Sequence, residues 1–174
     1  LGVSQTGLAQ KQIPNRPSPP RLVNDYVGIL SGGERNALER KLTAYNDSTS
    51  TQIAIVIENS LEGADIFTYS HQLAQVWGIG DEEKDNGILI YISFGDRKMG
   101  IVTGYGVEGF LPDALSKRII DNVISPAFRQ GAYYQGLDQA TDVIFQLGSG
   151  EYTADDFGNS EEGIPFIFIL LFFL

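Results

Sequence analysis

Four acidic residues of this sequence stand at the ends of predicted strands or helices rather than inside them. Asp25 lies in the segment that opens the predicted domain, and Asp85 directly precedes an apolar run. Glu108 lies in a glycine-rich loop, and Asp113 begins the helix after it. Binding and catalytic sites are usually built at such ends. Carboxylates without histidine or thiolate partners favour hard cations, so the four residues predict a Ca²⁺ or Mg²⁺ site gathered at one sheet edge.

The loop at 104–109 reads G-x-G-x-x-G, which is the phosphate-binding pattern of dinucleotide-binding domains. That pattern should open a β-α-β unit, whereas here the following helix runs into Pro126 and no strand-like run comes after it. The dinucleotide fold is therefore not favoured. Two interpretations stay open: a glycine turn that only connects strand to helix, or a loop in which the N–H groups of Gly104, Tyr105 and Gly106 face a bound ligand.

Metal-assisted hydrolysis of a phosphomonoester is a second chemistry that these residues could perform. A bound cation and Arg97 would stabilise the transferred charge, and Asp85 or Asp113 could orient the attacking water. The chain lacks the Asp-x-Asp-x-Thr and Cys-x₅-Arg motifs of common phosphatases, and its single histidine, His71, is interpreted as a helix-surface residue. Catalysis therefore stands as the alternative to cation binding.

Composition limits the partners of the chain. The 174 residues carry a formal net charge of −10 and contain no cysteine. A strongly acidic protein repels nucleic acid and anionic lipid, so a nucleic-acid partner is not expected and a divalent cation is. The absence of cysteine removes disulfides and thiolate metal sites without fixing the compartment.

Hydrophobic periodicity predicts an α/β domain that positions these residues. Ser31 and Glu34 form a capping box for a first helix, and Asp65 caps a second. Runs rich in isoleucine and valine predict strands, two of them joined as a hairpin. The predicted elements are helix 31–47, strand 52–58, helix 65–77, acidic loop 81–86, hairpin strands 88–94 and 98–103, helix 114–124 ended by Pro126, and helix 134–147.

The predicted domain, 22–148, is flanked by segments of different composition. Residues 1–21 contain four prolines between 14 and 20 and predict a flexible tail, which could include the small-residue end of a secretory signal. Residues 149–163 predict an acidic linker. Residues 164–174 contain no polar side chain, yet as a helix they would span only about 16 Å of a hydrocarbon core of about 30 Å.

This apolar segment is interpreted as the start of a transmembrane helix that the given sequence truncates. We then expect a secretory signal before Leu1 and at least about seven more apolar residues after Leu174. The alternatives are an interfacial tail or a strand buried on the domain.

Several motifs along the chain resemble those of the TPM domain family over about residues 22–147. The motifs are Val23-x-Asp25-x-x-Gly28-Ile29-Leu30, Trp77-Gly78-Ile79-Gly80, Asn86-Gly87-Ile88-Leu89, Asp96-Arg97, Gly104-Tyr105-Gly106-x-Glu108-Gly109 with Leu111-Pro112-Asp113, and Pro126-x-Phe128-Arg129-x-Gly131-x-Tyr133. Val27 replaces a usual alanine, and Ala132 replaces a common acidic residue. These departures concern packing and one polar contact.

The resemblance implies a three-layer α/β/α sandwich on a small mixed sheet, in the order α-β-α-β-β-α-α. It also implies export to the periplasmic side of the cell envelope and a C-terminal transmembrane anchor. For function it implies either a cation-binding module that assists assembly, repair or regulation of membrane protein complexes, or a metal-dependent acid phosphatase.

Overall fold

The computed structural model describes residues 11–151 and 153. Within these residues one four-stranded sheet has the order β1-β2-β3-β4; β1, β2 and β3 are parallel, and β4 is antiparallel to β3. The strands are β1 Val23–Asp25, β2 Gln52–Glu58, β3 Gly87–Ser93 and β4 Lys98–Thr103. The helices are α1 Gly32–Thr49, α2 Ile66–Trp77, α3 Asp113–Ile119, α4 Ser125–Arg129 and α5 Tyr133–Ser149. The predicted α/β fold on a mixed sheet is confirmed.

Both predicted helix caps are present. The Ser31 hydroxyl accepts a hydrogen bond from the Glu34 N–H at 3.3 Å, and the Ser31 N–H donates to the Glu34 carboxylate at 2.8 Å, which closes the capping box of α1. Asp65 accepts from the Thr68 N–H at 2.8 Å at the start of α2. Gly78 ends α2 in the left-handed conformation, with φ of 58°.

Alternation along the strands divides the core into two layers. Ile53, Ile55 and Ile57 of β2 pack with α1, α3 and α5 on one face, and Ala54 and Val56 pack with α2 on the other. All residues of β3 are buried, because helices cover both faces of this strand. Helix α1 connects β1 to β2, and α2 connects β2 to β3, so both connections move one strand in the same direction along the sheet. Because α1 and α2 cover opposite faces of the sheet, the two connections have opposite hands.

Two elements differ from the sequence-based prediction. The three-residue strand β1 is an additional first element, paired with β2 from Val23 opposite Ile55 to Asp25 opposite Ile57. The prediction that Pro126 ends its helix is wrong. A π-helical turn, Ile120–Ile124, joins α3 to α4 without a break, and the helical segment continues through Pro126 to Arg129.

Part of the predicted N-terminal tail packs on the α2 face of the sheet. The ammonium group of Lys11 lies 2.7 Å from the Glu58 carboxylate, and the indole N–H of Trp77 donates to the Pro14 carbonyl at 2.8 Å. These contacts hold Lys11 and Pro14 against the domain. The apolar segment 164–174, most of the predicted linker 149–163 and residues 1–10 lie outside the described residues. No helix among the described residues has the length and apolar character to cross a membrane.

Candidate functional site

The sheet has two edges at which loops gather. The parallel strands β1, β2 and β3 all end at one edge, which we call the carboxyl edge, after Asp25, Glu58 and Ser93. The antiparallel strand β4 ends at the opposite edge, called the amino edge, beside the start of β3. In open sheets of this kind, ligands usually bind beyond the carboxyl ends of the strands.

The four acids predicted to hold a cation do not gather at one edge. Asp25 lies at the carboxyl edge, where its carboxylate accepts from the N–H groups of Gly28 and Leu30, each at 2.8 Å, and thereby holds the turn that leads to α1. Asp85 precedes β3 and lies at the amino edge. The prediction of one shared edge is wrong for Asp25, because Asp25 ends β1 whereas Asp85 precedes β3, which runs parallel to β1.

Asp85 and Glu108 do share a site, which we call the acidic cleft. It lies at the amino edge, has a volume of about 390 Å³ and is lined by Asp81, Glu82, Asp85 and Glu108 with no lysine or arginine among its described lining residues. Asp113 lies at the start of α3 and does not line it. Among the described residues, no group of three or more His, Cys, Asp or Glu is already arranged to hold a metal ion.

Glycines allow the loop after β4 to lie directly against the loop before β3 in the acidic cleft. A Cβ atom at Gly104 would overlap the Asp85 carbonyl oxygen, and one at Gly106 would overlap the Lys84 carbonyl oxygen. The backbone N–H groups of Gly104 and Gly106 donate to the carbonyl oxygens of Gly87 and Asp85 at 2.9 and 2.8 Å. These glycines therefore serve the close approach of two backbones.

All three backbone N–H groups predicted to face a ligand donate hydrogen bonds to groups of the protein itself. The third of them, the N–H of Tyr105, donates to the Asp85 carboxylate at 3.0 Å. This corrects the expectation that Gly104, Tyr105 and Gly106 present free N–H groups to a cofactor. The Tyr105 side chain is 81% exposed beside the same carboxylate.

Asp85 is held in an unfavourable backbone conformation. Its φ is 47°, a value that costs a non-glycine residue on the order of 1 kcal/mol or more. Asp81 braces the same loop by accepting from the N–H groups of Glu83 and Lys84, both at 3.0 Å. Within the described residues, the carboxylates of Glu82 and Glu108 have no hydrogen-bond or ion-pair partner, so their oxygens are available to a ligand.

His71 lies on α2, as the sequence indicated, and is half-buried. Its ring packs edge-on against Phe67, with the ring centres 4.3 Å apart, and it also lines the acidic cleft. As the single histidine of the chain, it is the candidate nitrogen ligand there, beside four carboxylates.

Arg97 lies at the carboxyl edge, in the turn between β3 and β4. The neighbouring Asp96 accepts from the Leu61 N–H at 2.6 Å and from the Ser93 hydroxyl at 2.7 Å, and these hydrogen bonds lower its pKa. Asp96 is therefore a structural residue of the turn. Because Arg97 and Asp85 lie at opposite edges, the three residues predicted for catalysis, Asp85, Asp113 and Arg97, are not brought together as one site.

Arg97 instead lines a second cavity, which we call the carboxyl-edge pocket, with a volume of about 740 Å³. Sequence reasoning missed its other polar lining residues, which are Asn59, Ser93, Ser125, Arg129 and Tyr133. A usable signal existed, because Asn59 directly follows β2 and Arg97 lies just beyond β3, at the carboxyl ends of adjacent parallel strands.

A family model described as the TPM domain matches residues 23–147. The chain belongs to the TPM domain family. None of the curated proteins matches this member significantly.

Solved structures of similar domains agree with this TPM fold. One is the N-terminal domain of a P. gingivalis protein, with 35% identity over 75% of this chain and 83% of that chain and a TM-score of 0.69. The N-terminal domain of the cg2496 protein of Corynebacterium glutamicum has 22% identity, a TM-score of 0.57 and coverage of 77% and 82%. The BA42 protein of Bizionia argentinensis has 21% identity, a TM-score of 0.63 and coverage of 76% and 91%. The latter two support the fold alone.

Proposed function

We propose that this TPM domain is a divalent-cation-binding module and that the ion binds in the acidic cleft. One observation carries the proposal: four carboxylates line this cleft, and no basic side chain among its described lining residues neutralises them. Like charges held close together destabilise a fold, and a cation that binds only the folded state relieves that repulsion.

Asp85 is the central ligand in this proposal. Its backbone position is fixed by the glycine contacts, and one carboxylate oxygen already accepts from the Tyr105 N–H. Glu82 and Glu108 are exposed and would turn inward to complete the coordination with water molecules. Oxygen ligands alone suit Ca²⁺ or Mg²⁺, and a site that must rearrange binds more weakly than a rigid one.

The hydrolase alternative has no observation that favours it over simple binding. It needs Arg97 near the cation, whereas Arg97 lies at the carboxyl edge and the acidic cleft lies at the amino edge. We therefore do not assign phosphatase activity to this arrangement.

For the cellular role, we infer an envelope protein whose domain faces the periplasm and assists a membrane protein complex. The apolar composition of residues 164–174 and the TPM family resemblance support this inference. Expression of the natural gene followed by membrane fractionation tests it. We expect the protein to stay with the membranes after washing at alkaline pH and to be released by detergent; recovery in the cytosolic fraction would contradict the inference.

The cation is tested by thermal unfolding and calorimetric titration with CaCl₂ and MgCl₂ after treatment with EDTA. At a concentration about 100 times the dissociation constant, the ion should add about 2.7 kcal/mol to the free energy of unfolding. Asp85→Asn and Glu108→Gln should each weaken binding by about tenfold, or about 1.4 kcal/mol.

Glu83→Gln is the matched control, because Glu83 lies in the same loop, carries the same charge and does not line the cleft. It should bind the ion almost as the unchanged protein does. An unfolding curve that millimolar Ca²⁺ and Mg²⁺ both leave in place, or an equal loss in Glu83→Gln, would refute the proposal.

A further inference from the structure

The N-terminal segment 11–14, which we call the strap, contacts the loop that follows β2. The Lys11 ammonium group donates to the Glu58 carboxylate at 2.7 Å and to the Ser60 carbonyl oxygen at 2.5 Å. It also lies 4.6 Å from the centre of the Tyr69 ring, and the Lys11 side chain is only 8% exposed. Lysine is rarely buried without partners, so these oxygens fix its position. The first residue of the strap is therefore bound to the end of β2 and to the loop after it.

The same loop also holds the hairpin turn 94–97 between β3 and β4. The backbone N–H groups of the first two turn residues donate to the carbonyl oxygens of Glu58 and Asn59, at 2.8 and 2.7 Å. In the opposite direction, the Asp96 carboxylate accepts from the Leu61 N–H at 2.6 Å. Loop and turn are thus joined by three hydrogen bonds and move as one unit.

This unit forms one wall of the carboxyl-edge pocket. Asn59 of the loop and Arg97 of the turn both line the pocket, whereas Lys11 does not. The φ of Arg97 is 54°, a conformation that a non-glycine residue keeps only where the surrounding contacts enforce it. Lys11 therefore lies outside the pocket but contacts the loop on which the position of this wall depends.

Withdrawal of Lys11 would leave the Glu58 carboxylate without a cation. The Glu58 side chain is only 13% exposed, and no second lysine or arginine pairs with it in the part of the chain that the structure describes. An unpaired buried carboxylate is strongly unfavourable and moves towards water where the chain permits it. Because the carbonyl oxygens of Glu58 and Asn59 hold the hairpin turn, this movement would carry the pocket wall outward.

From these contacts we propose that Lys11 of the strap controls the shape of the carboxyl-edge pocket. While Lys11 is bound, the wall formed by Asn59 and Arg97 keeps the position described above; when Lys11 is withdrawn, that wall moves outward and the pocket opens. A partner that binds the strap, or a pull on the chain before Lys11, thereby changes the pocket without entering it. The device lies at the edge opposite to the acidic cleft and does not depend on a cation there.

Two residues that occur once in the chain report on the two ends of this device. Met99, the single methionine, lines the pocket, and Trp77, the single tryptophan, binds the Pro14 carbonyl of the strap. NMR of the protein labelled with ¹⁵N and with ¹³C at the methionine methyl group follows both. Lys11→Gln should shift the Met99 methyl signal and accelerate exchange of the Gly95 amide by about tenfold or more, while the Trp77 indole signal stays in place.

Lys41→Gln is the matched control, because Lys41 is also a partly buried lysine in ion pairs, but its two partners lie on α5. It should leave the Met99 signal and the Gly95 exchange rate unchanged. The Gly104 amide, which is hydrogen-bonded at the amino edge, separates local opening from a general loss of stability. In Lys11→Gln its exchange should accelerate less than that of Gly95.

A double variant, Lys11→Gln with Glu58→Gln, tests whether the unpaired charge is the cause. The neutral amide can still accept from the tyrosine hydroxyls and needs no cation, so the Met99 signal should return close to that of the unchanged protein. Circular dichroism checks that each variant is folded. If Lys11→Gln alone does not fold, the double variant still decides, since it carries no buried unpaired carboxylate.

Three outcomes would overturn the proposal. They are an unchanged Met99 signal in folded Lys11→Gln, equal acceleration of exchange at Gly95 and Gly104, and a displaced Met99 signal in the double variant. A displacement in Lys41→Gln as large as that in Lys11→Gln would contradict it as well, because the effect would then not pass through the strap.

Discussion

At the scale of single residues, the Glu58 carboxylate accepts three side-chain hydrogen bonds at a single oxygen. One of its oxygens accepts hydrogen bonds from Lys11 at 2.7 Å, from the Tyr91 hydroxyl at 2.8 Å and from the Tyr69 hydroxyl at 2.9 Å. Tyr69 is 2% exposed and Tyr91 is 0% exposed. A buried carboxylate with three donors is a structural group, because its charge is already compensated.

The two tyrosines predict a loss of stability at alkaline pH. Burial, and secondarily the hydrogen bond to Glu58 and its charge, raise the pKa values of Tyr69 and Tyr91 well above the usual 10. The folded state keeps both protons while the unfolded chain loses them above about pH 10, so each tyrosine should lower the free energy of unfolding by about 1.4 kcal/mol per pH unit there.

Urea unfolding from pH 7 to 11 measures this effect, with Tyr91→Phe as the comparison. Near pH 7 the variant should be less stable because the bond to Glu58 is lost. Above pH 10 its stability should fall less steeply, so that the two curves converge. A difference that stays constant over the whole range would contradict the assignment.

At the scale of elements, the features that depend only on neighbouring residues were predicted correctly from the sequence. The capping residues Ser31 and Asp65 and the β3–β4 hairpin follow from neighbouring residues, and each is present. Strand β1 was missed because three residues carry no periodicity and their pairing depends on β2. The π-helical turn before Pro126 was missed because it also depends on contacts with a distant element. This segment stays helical through its packing against α5, which outweighs the low helix propensity of proline.

The glycine loop after β4 supplies a prediction with its own control. Gly104→Ala places a methyl group against the Asp85 backbone, which must force the two loops of the acidic cleft apart and should cost about 1–3 kcal/mol of stability. Gly109→Ala belongs to the same G-x-G-x-x-G pattern but meets no atom within 4 Å, so it should be nearly neutral. Chemical denaturation of both variants checks the difference, and equal midpoints would show that the loops do not approach as described.

At the scale of the whole molecule, the direction of each strand decides which candidate residues meet. The sequence placed Asp25 and Asp85 correctly at element ends, but the edge at which an end lies depends on the sheet order and on parallel or antiparallel pairing. Those pairings join residues far apart in the chain, and local patterns do not encode them. For the same reason the sequence did not reveal the carboxyl-edge pocket, whose residues come from the loop after β2, from β3, β4 and the turn between them, and from the α4–α5 segment.

The N-terminal segment binds the α2 face of the sheet through two separable contacts, which makes its contribution measurable. Trp77, the single tryptophan, donates to the Pro14 carbonyl, while Lys11 compensates Glu58. A chain that begins at Pro17 loses both contacts. Its tryptophan emission should shift to longer wavelength as water reaches the indole, and its stability should fall by about 3 kcal/mol or more because a buried charge is left unpaired.

Lys11→Met separates the two effects, since it removes the charge and leaves the Pro14 carbonyl in place. We expect it to lower the urea midpoint by most of the amount seen on truncation, because the Glu58 side chain is only 13% exposed and no other cation pairs with it among the described residues. Its emission maximum should stay that of the unchanged protein. Lys84→Met, at an exposed lysine without a described partner, controls for the change of net charge and should leave both readings unaltered. If truncation at Pro17 changes neither the emission nor the midpoint, residues 11–16 do not belong to the folded domain.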